Sequence, residues 1–313
     1  MSINLGAALS GEYKICITKP DGTTTDSGWF PNLILNAGLD MLGAIAGPGP
    51  TVFASIGTGT STPAVTQTSL DTLVAYSGIG TSVSITNAGS PTYATMQTRA
   101  YAFPQGSVIG NMTEVGIGNA NTPYALFSRA LILDALGAPT TITLIAIDQL
   151  TIYYRLTISP PVVDATGSIV INGVTYNYTS RMFGISSFAS IEYIITGATF
   201  FSQLYSVTTY GTGAILGTID STGITGAAAT LNSYQGAADA APTIITSAYT
   251  HGNYYVDWNL HFSPTQANPS LCGMHLTGFG PWRAIQFQIV FDKPIPKTNT
   301  TVLSLTFRFS WGR

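Results

Sequence analysis

The stretch EVGIGNANTPYALFSRALILDALGAPTTITLIAIDQLTIYYRL, Glu114 to Leu156, decides the fold class. Apolar and polar residues alternate from Thr113 to Ile117, the period of a half-buried strand. Asn119 to Pro123 are turn formers. The apolar run Tyr124 to Leu133 follows, broken by Ser128 and Arg129. Asp134 to Pro139 turn the chain again, with Gly137 and Pro139 as breakers. Thr141 to Ile147 and Leu150 to Ile158 are rich in β-branched and aromatic residues, and the second alternates. Four short strands separated by turn chemistry predict an antiparallel meander or one half of a sandwich.

Upstream, Tyr13 to Thr18 alternates and predicts a strand. Lys19-Pro20-Asp21-Gly22 is a turn, and Thr23 to Phe30 returns from it. Asn36 to Ile45 predicts a short amphipathic helix, with Asn36 as its N-cap and Gly47-Pro48 as its stop. Val52 to Ile56 predicts a strand that leads into GTGTSTP, Gly57 to Pro63. A phosphate-binding loop needs a Walker lysine, or a third spaced glycine opening a helix. This loop has neither, so a flexible strand-exit turn is expected. Pro91 to Phe103 predicts a further strand.

Downstream of Pro160-Pro161, alternating strands flank Asn172-Gly173, the preferred pair for a two-residue hairpin turn. From Gly184 to Ala241 the only charges are Glu192, Asp220 and Asp239, with strands expected at Ile191 to Ile195 and Thr199 to Thr208. Thr250 to Phe262 is aromatic and alternating. In Thr301 to Phe309, residues Leu303, Leu305, Phe307 and Phe309 share one face, which must lie on a core or an interface. The expected fold is mainly β: antiparallel sandwich-like modules with one short N-terminal helix. Two modules are expected, residues 1–160 for assembly or anchoring and 161–313 as the oligomer-forming or distal part.

Charged residues make up 8% of the 313 positions, against ~25% in ordinary soluble domains. Mean hydropathy is +0.29. Either a membrane or other chains must cover such a surface. A spanning helix needs about 20 apolar residues. Leu33 to Ala46 is shorter and contains Asn36, Gly38 and Asp40. Alternating strands also suit an outer-membrane barrel, but the opening MSINLGAALSGEYKIC lacks the basic-then-apolar pattern of an export signal. No membrane insertion is expected, and burial against partner chains is. Net charge is −3 and Lys and Arg do not cluster, so no nucleic-acid partner is expected.

The succession EVGIG, LFSRALI, APTTITL and DQLTIYYRLTI resembles a module recurring in virion proteins of tailed bacteriophages, chiefly tail-fibre and other minor tail components. FASIGTGTSTPAVTQTSLDTL (Phe53 to Leu73) and FQIVFDKPIPKTNTTVLSLTFRFSWGR (Phe287 to Arg313) fit the same picture. None of these is a catalytic signature. The resemblance implies a virion location, after assembly in the host bacterial cytoplasm, and a structural role in a tail fibre or neck or collar fibre. It also implies a homo-oligomer, with a trimer favoured, attached to other phage tail, neck or capsid proteins. The alternative is a lectin-like receptor-binding protein recognising host surface glycans, and a third is a glycan depolymerase. In the cytoplasm Cys16 and Cys272 would stay thiols.

Chemistry-bearing residues are few. His251, His261 and His275, with Cys272 and Asp257, match no zinc spacing, and there is no Cys-x-x-Cys. Most aspartates lie in turn contexts, and no G-x-S-x-G elbow occurs. No catalytic, cofactor-binding or metal-binding residue is expected, no cofactor is implied, and the chain is not read as an enzyme. Tyr249, Tyr254, Tyr255, Trp258, Phe262, Phe279 and Trp282 suit a sugar platform or a core and interface. Core plus interface is the expected role.

Overall fold

A strand buried on one face alternates apolar and polar residues, and that pattern recurs along this chain. The structure, a computed structural model, describes residues 2–43, 49–78, 81–87, 94–119, 126–161, 163–184, 206–210, 242–266, 270–279 and 285–313. The first elements are β1 (Ser2–Thr18), β2 (Thr24–Asp26), β3 (Phe30–Pro31), β4 (Leu33–Ile34), α1 (Asn36–Gly43), β5 (Phe53–Gly57) and β6 (Leu73–Tyr76). Next come β7 (Thr81–Asn87), β8 (Thr95–Ala102), β9 (Gly110–Met112), β10 (Glu114–Gly118), β11 (Leu126–Leu131), β12 (Ile142–Leu144) and β13 (Gln149–Ser159). The last are β14 (Ala165–Ile171), β15 (Val174–Gly184), β16 (Ser206–Tyr210), β17 (Thr243–Thr246), β18 (Tyr255–Phe262), β19 (Ser270–Phe279), β20 (Ile285–Pro296) and β21 (Leu303–Gly312). Among the described residues the protein is mainly β with one short helix. No helix among the described residues is long and apolar enough to cross a membrane.

A nine-stranded sheet runs β17-β18-β21-β1-β13-β8-β7, with β2 and β3 added on β1. A five-stranded sheet runs β4-β11-β10-β5-β6, another β14-β15-β20-β19-β16, and β9 pairs with β12. β1 and β21 run parallel, from Ser2↔Thr306 to Ala8↔Gly312. Every other described ladder is antiparallel.

The Glu114–Leu156 stretch is not a meander. β10 and β11 form the expected hairpin ladder, but β12 pairs with β9 and β13 enters the nine-stranded sheet between β1 and β8. The reason lies in β13. Leu150, Ile152, Tyr154, Leu156 and Ile158 are all buried on one face, so this strand needs a long partner over the core. β1 provides it from Ala8 to Thr18. Nor does Pro160-Pro161 separate the sheets. β1, β7, β8 and β13 come from before it and β17, β18 and β21 from after it, yet they share one sheet.

That sheet turns Leu5, Tyr13, Ile152, Trp258, Phe307 and Phe309 into the core. β11 meets the same core. Tyr13 Oη lies 2.7 Å from Ser128 Oγ, and the Phe127 and Tyr154 rings meet edge-on at 6.5 Å. α1 covers one end with Leu39 and Leu42. Its described end is Gly43, and residues 44–48 of the expected helix and its stop lie outside the described residues. Asn36, expected to cap α1, turns its carboxamide oxygen to Arg313 Nη2 at 2.5 Å. The Asn172-Gly173 turn forms as expected, with φ of 49° and 78° between β14 and β15. The Lys19–Gly22 turn also forms, closed by Gly22 N donating to Lys19 O at 2.9 Å. The strand expected at Ile191 to Ile195 lies outside the described residues, as do the first residues of the one expected at Thr199 to Thr208.

Candidate functional site

In a chain so poor in charge, a charge inside an apolar strand needs a reason. Glu114 opens β10 and Arg129 sits in β11, both on strands buried almost throughout. The register Glu114↔Leu131 and Gly116↔Arg129 sets the two residues diagonally on one face. Both side chains are 0% exposed. Arg129 Nε donates to Glu114 Oε2 at 2.9 Å, and Nη2 lies 2.8 Å from the same oxygen.

The rest of the guanidinium is occupied as well. Nη1 donates to Gln67 Oε1 at 2.7 Å and Ser61 Oγ at 3.2 Å, and Nη2 to Asp71 Oδ2 at 2.7 Å. Glu114 Oε1 accepts from the main-chain N–H of Gly59 at 2.8 Å and of Thr72 at 2.9 Å. Oε2 also accepts from Asp71 N at 3.1 Å. Burial pushes Asp71 up, but hydrogen bonds from Ser61 and the Arg129 guanidinium outweigh it and hold the carboxyl below its ordinary range.

All these partners come from the connection between β5 and β6. The GTGTSTP segment is therefore not a flexible turn. Main-chain N–H groups that no ladder satisfies need acceptors, and Glu114 supplies them. A Cβ on Gly59 would lie 2.4 Å from Glu114 Oε1, so this glycine permits close approach to a carboxylate of the protein itself. Glu114 has no acceptor position left for a substrate. The constellation is a clamp that holds a long loop in one shape.

The other candidates are dispersed. His251 Nδ1 lies 3.7 Å from Asp40 Oδ2, and His261 Nδ1 lies 3.2 Å from Ser304 Oγ. His275 is buried on β19, in a different sheet. Asp257 is committed to Arg308 by bonds of 2.8 and 2.9 Å. Cys272 is buried near His275 in sequence, Cys16 is half-buried on β1, and both are free. Burial raises both thiols, and Asp26 adds to the effect at Cys16. Among the described residues no three His, Cys, Asp or Glu side chains gather to hold a metal ion.

The late aromatics mostly enter the core. Trp258 and Phe262 are fully buried, and Trp258 stacks on Phe309 at 5.5 Å. Tyr249 packs on Trp311 at 5.6 Å and donates to Asp40 Oδ1 at 2.5 Å. Tyr255 lies under the Arg308 guanidinium at 3.7 Å. Trp282 lies outside the described residues.

Sequence reasoning missed the Glu114–Arg129–Asp71 clamp. The signal was present: opposite charges in two successive apolar strands of a chain nearly free of charge. Comparison of the chain with models of protein families, with curated proteins and with solved structures finds no match.

Proposed function

We propose that this chain is a structural subunit of a tailed-phage virion, a tail-fibre or neck or collar-fibre component. It assembles with copies of itself and attaches to the particle through other tail, neck or capsid proteins. One observation carries the reading: the clamp joins two of the stretches that resemble tail modules. Phe53–Leu73 supplies Gly59, Ser61, Gln67, Asp71 and Thr72, and Glu114–Leu156 supplies Glu114 and Arg129. The third stretch ends in β21, between β18 and β1. The resemblance thus falls on residues that hold one another in place.

Within this reading, the nine-stranded sheet and the β4-β11-β10-β5-β6 sheet are facing layers of a sandwich-like module. The Tyr13–Ser128 and Phe127–Tyr154 contacts support that arrangement. A charged fraction of 8% supports burial of the surface against other copies, and a trimer follows from the fibre resemblance. A clamp in which both oxygens of the buried Glu114 are filled supports a mechanical rather than a catalytic role. The lectin-like reading has less support, because Trp258 and Phe262 offer no ring to solvent. The proposed location is the virion, reached from the bacterial cytoplasm.

The test is immunogold labelling of purified particles with an antibody against this chain, viewed by negative stain. Label at the tail or collar is expected. Particles that lack the chain overturn the proposal.

A further inference from the structure

β1 serves as the edge of two half-sheets at once. Ser2–Ala8 completes the half built from β17, β18 and β21, and Ala8–Thr18 completes the half built from β13, β8 and β7. Each half of β1 therefore has a second side that its main partner does not cover.

On the second half that side is closed group by group. β2 pairs with Cys16–Thr18 and β3 with Glu12–Tyr13. Ile15 O accepts from Ser27 N at 3.0 Å, and Ile15 N donates to Ser27 Oγ at 3.0 Å. Gly11 O accepts from Asn32 N at 3.2 Å.

On the first half no described strand closes it. Main-chain N–H and C=O groups alternate sides along a strand, so every second residue between Ser2 and Ala7 points its pair away from β21. β13 is the strand that would meet them, but its last pair is Ala8↔Ser159, and Pro160-Pro161 then end it. Among the described residues no strand lies on that side of Ser2–Ala7. A groove of about 550 Å³ occupies the step, with Gly6, Ala7 and Ala8 along it and Pro160, Pro161, Trp311 and Arg313 beside it. The segment SINLGAALS contains no charge and no proline, the usual guards of an exposed edge.

We propose that this open edge accepts an extended strand from a second copy of the chain, in the manner of β-augmentation. The proposal rests on the homo-oligomer reading above and names the surface that makes it. Charge selects the occupant: Ser2–Ser10 carries no charge, and Arg313 at the groove is already bonded to Ile34 O and Asn36 Oδ1, so the edge admits an uncharged strand without stripping water from a free ion. The chain displays such strands on its own sheet edges. β14, ATGSIVI, and β17, TIIT, carry no charge, and Val170 and Ile245 on them are 53% and 54% exposed.

Hydrogen exchange read by mass spectrometry, over a concentration series of the purified full-length chain, tests this. At low concentration about half of the amides in the peptide covering Ser2–Ala7 exchange fast, and they become protected as oligomers form. Asn4 is exposed, so Asn4→Lys keeps the fold but places a charge on the edge. It weakens association at least tenfold, while Asn4→Gln does not. If the chain associates with these amides still open, strand addition fails and the oligomer reading stands. Strand addition fails in the same way if a folded Asn4→Lys variant associates like the wild type. Protection already complete in the monomer also overturns the proposal. A chain that stays monomeric throughout overturns both readings. Should Asn4→Lys unfold, the exchange series decides alone.

Discussion

Trp311 donates its indole N–H to the main-chain oxygen of Leu39 at 2.8 Å, and so ties the last described strand to the only described helix. Tyr249 and Phe309 pack on the same ring, at 5.6 and 6.4 Å. Beyond it, Arg313 donates to Ile34 O at 3.0 Å. The tip of β21 is a fixed point for α1, not a loose tail.

A chain ending at Thr306 is expected not to fold. It loses the buried side chains of Phe307, Phe309 and Trp311, each worth roughly 1.5–3 kcal/mol, out of a typical total of ~5–15 kcal/mol. It also strips β1 and β18 of their pairing beyond Thr306. Circular dichroism and gel filtration report the loss; a soluble, cooperatively melting product contradicts it. Trp311→Phe keeps most of the apolar area and gives up the bond to Leu39, at about 1 kcal/mol.

Glu114→Gln is expected to destabilise by roughly 3–5 kcal/mol, because it leaves the buried Arg129 guanidinium short of an anion. Many buried ion pairs can be replaced by apolar residues at no cost. Here the double variant Glu114→Leu/Arg129→Met stays destabilised, since the N–H groups of Gly59, Asp71 and Thr72 lose their acceptor. Urea denaturation of the two variants checks both statements.

Asp71 sets an acid limit. Its folded carboxyl lies below the ordinary value, so its contribution is complete above the unfolded pKa of about 4 and disappears as pH falls through the folded one. Asp71→Asn should be less stable than wild type at neutral pH. The two should converge in melting temperature as pH falls through the folded value.

Gly173 has φ of 78° in the β14–β15 turn. Gly173→Val places a β-branched residue there and is expected to cost ~1–2 kcal/mol, whereas Asn172→Gly is tolerated. An unchanged melting temperature for Gly173→Val argues against the turn.

Three buried tyrosines set an alkaline limit. Burial pushes Tyr101 up to about 12, with the Arg99 guanidinium working against it. Burial raises Tyr13 well above its ordinary value, and Tyr154 is raised too. For a raised phenol the stability is complete below the unfolded pKa of about 10 and is lost as pH rises through the folded value. Phenolate absorbance should therefore rise in two phases, the later one coinciding with loss of near-ultraviolet dichroism. In Tyr154→Phe the late phase shrinks.

Local chemistry was legible in the sequence. The Asn172-Gly173 turn, the apolar face of Leu303 to Phe309 and the short helix from Asn36 all stand where alternation and turn residues put them. Pairing was not. Nothing within β12 or β13 says that one joins Gly110–Met112 and the other joins Ala8–Thr18, because a strand's pattern gives its buried face and not its neighbour. The clamp was hidden for a related reason. The N–H groups of Gly59, Asp71 and Thr72 need a protein acceptor only once the fold has taken them from water, and Glu114 then fills that need.

The parallel pairing of β1 with β21 has a consequence for synthesis. Ser2 cannot meet Thr306 until the ribosome has passed Thr306. At ~5–20 residues per second, that is a wait of roughly 15–60 s. Through that interval an uncharged, strand-forming segment stands with half its partners unmade, alongside nascent copies of itself. This pairing therefore forms late, and the concentration of growing chains competes with the arrival of residues 306–312 for the same hydrogen bonds.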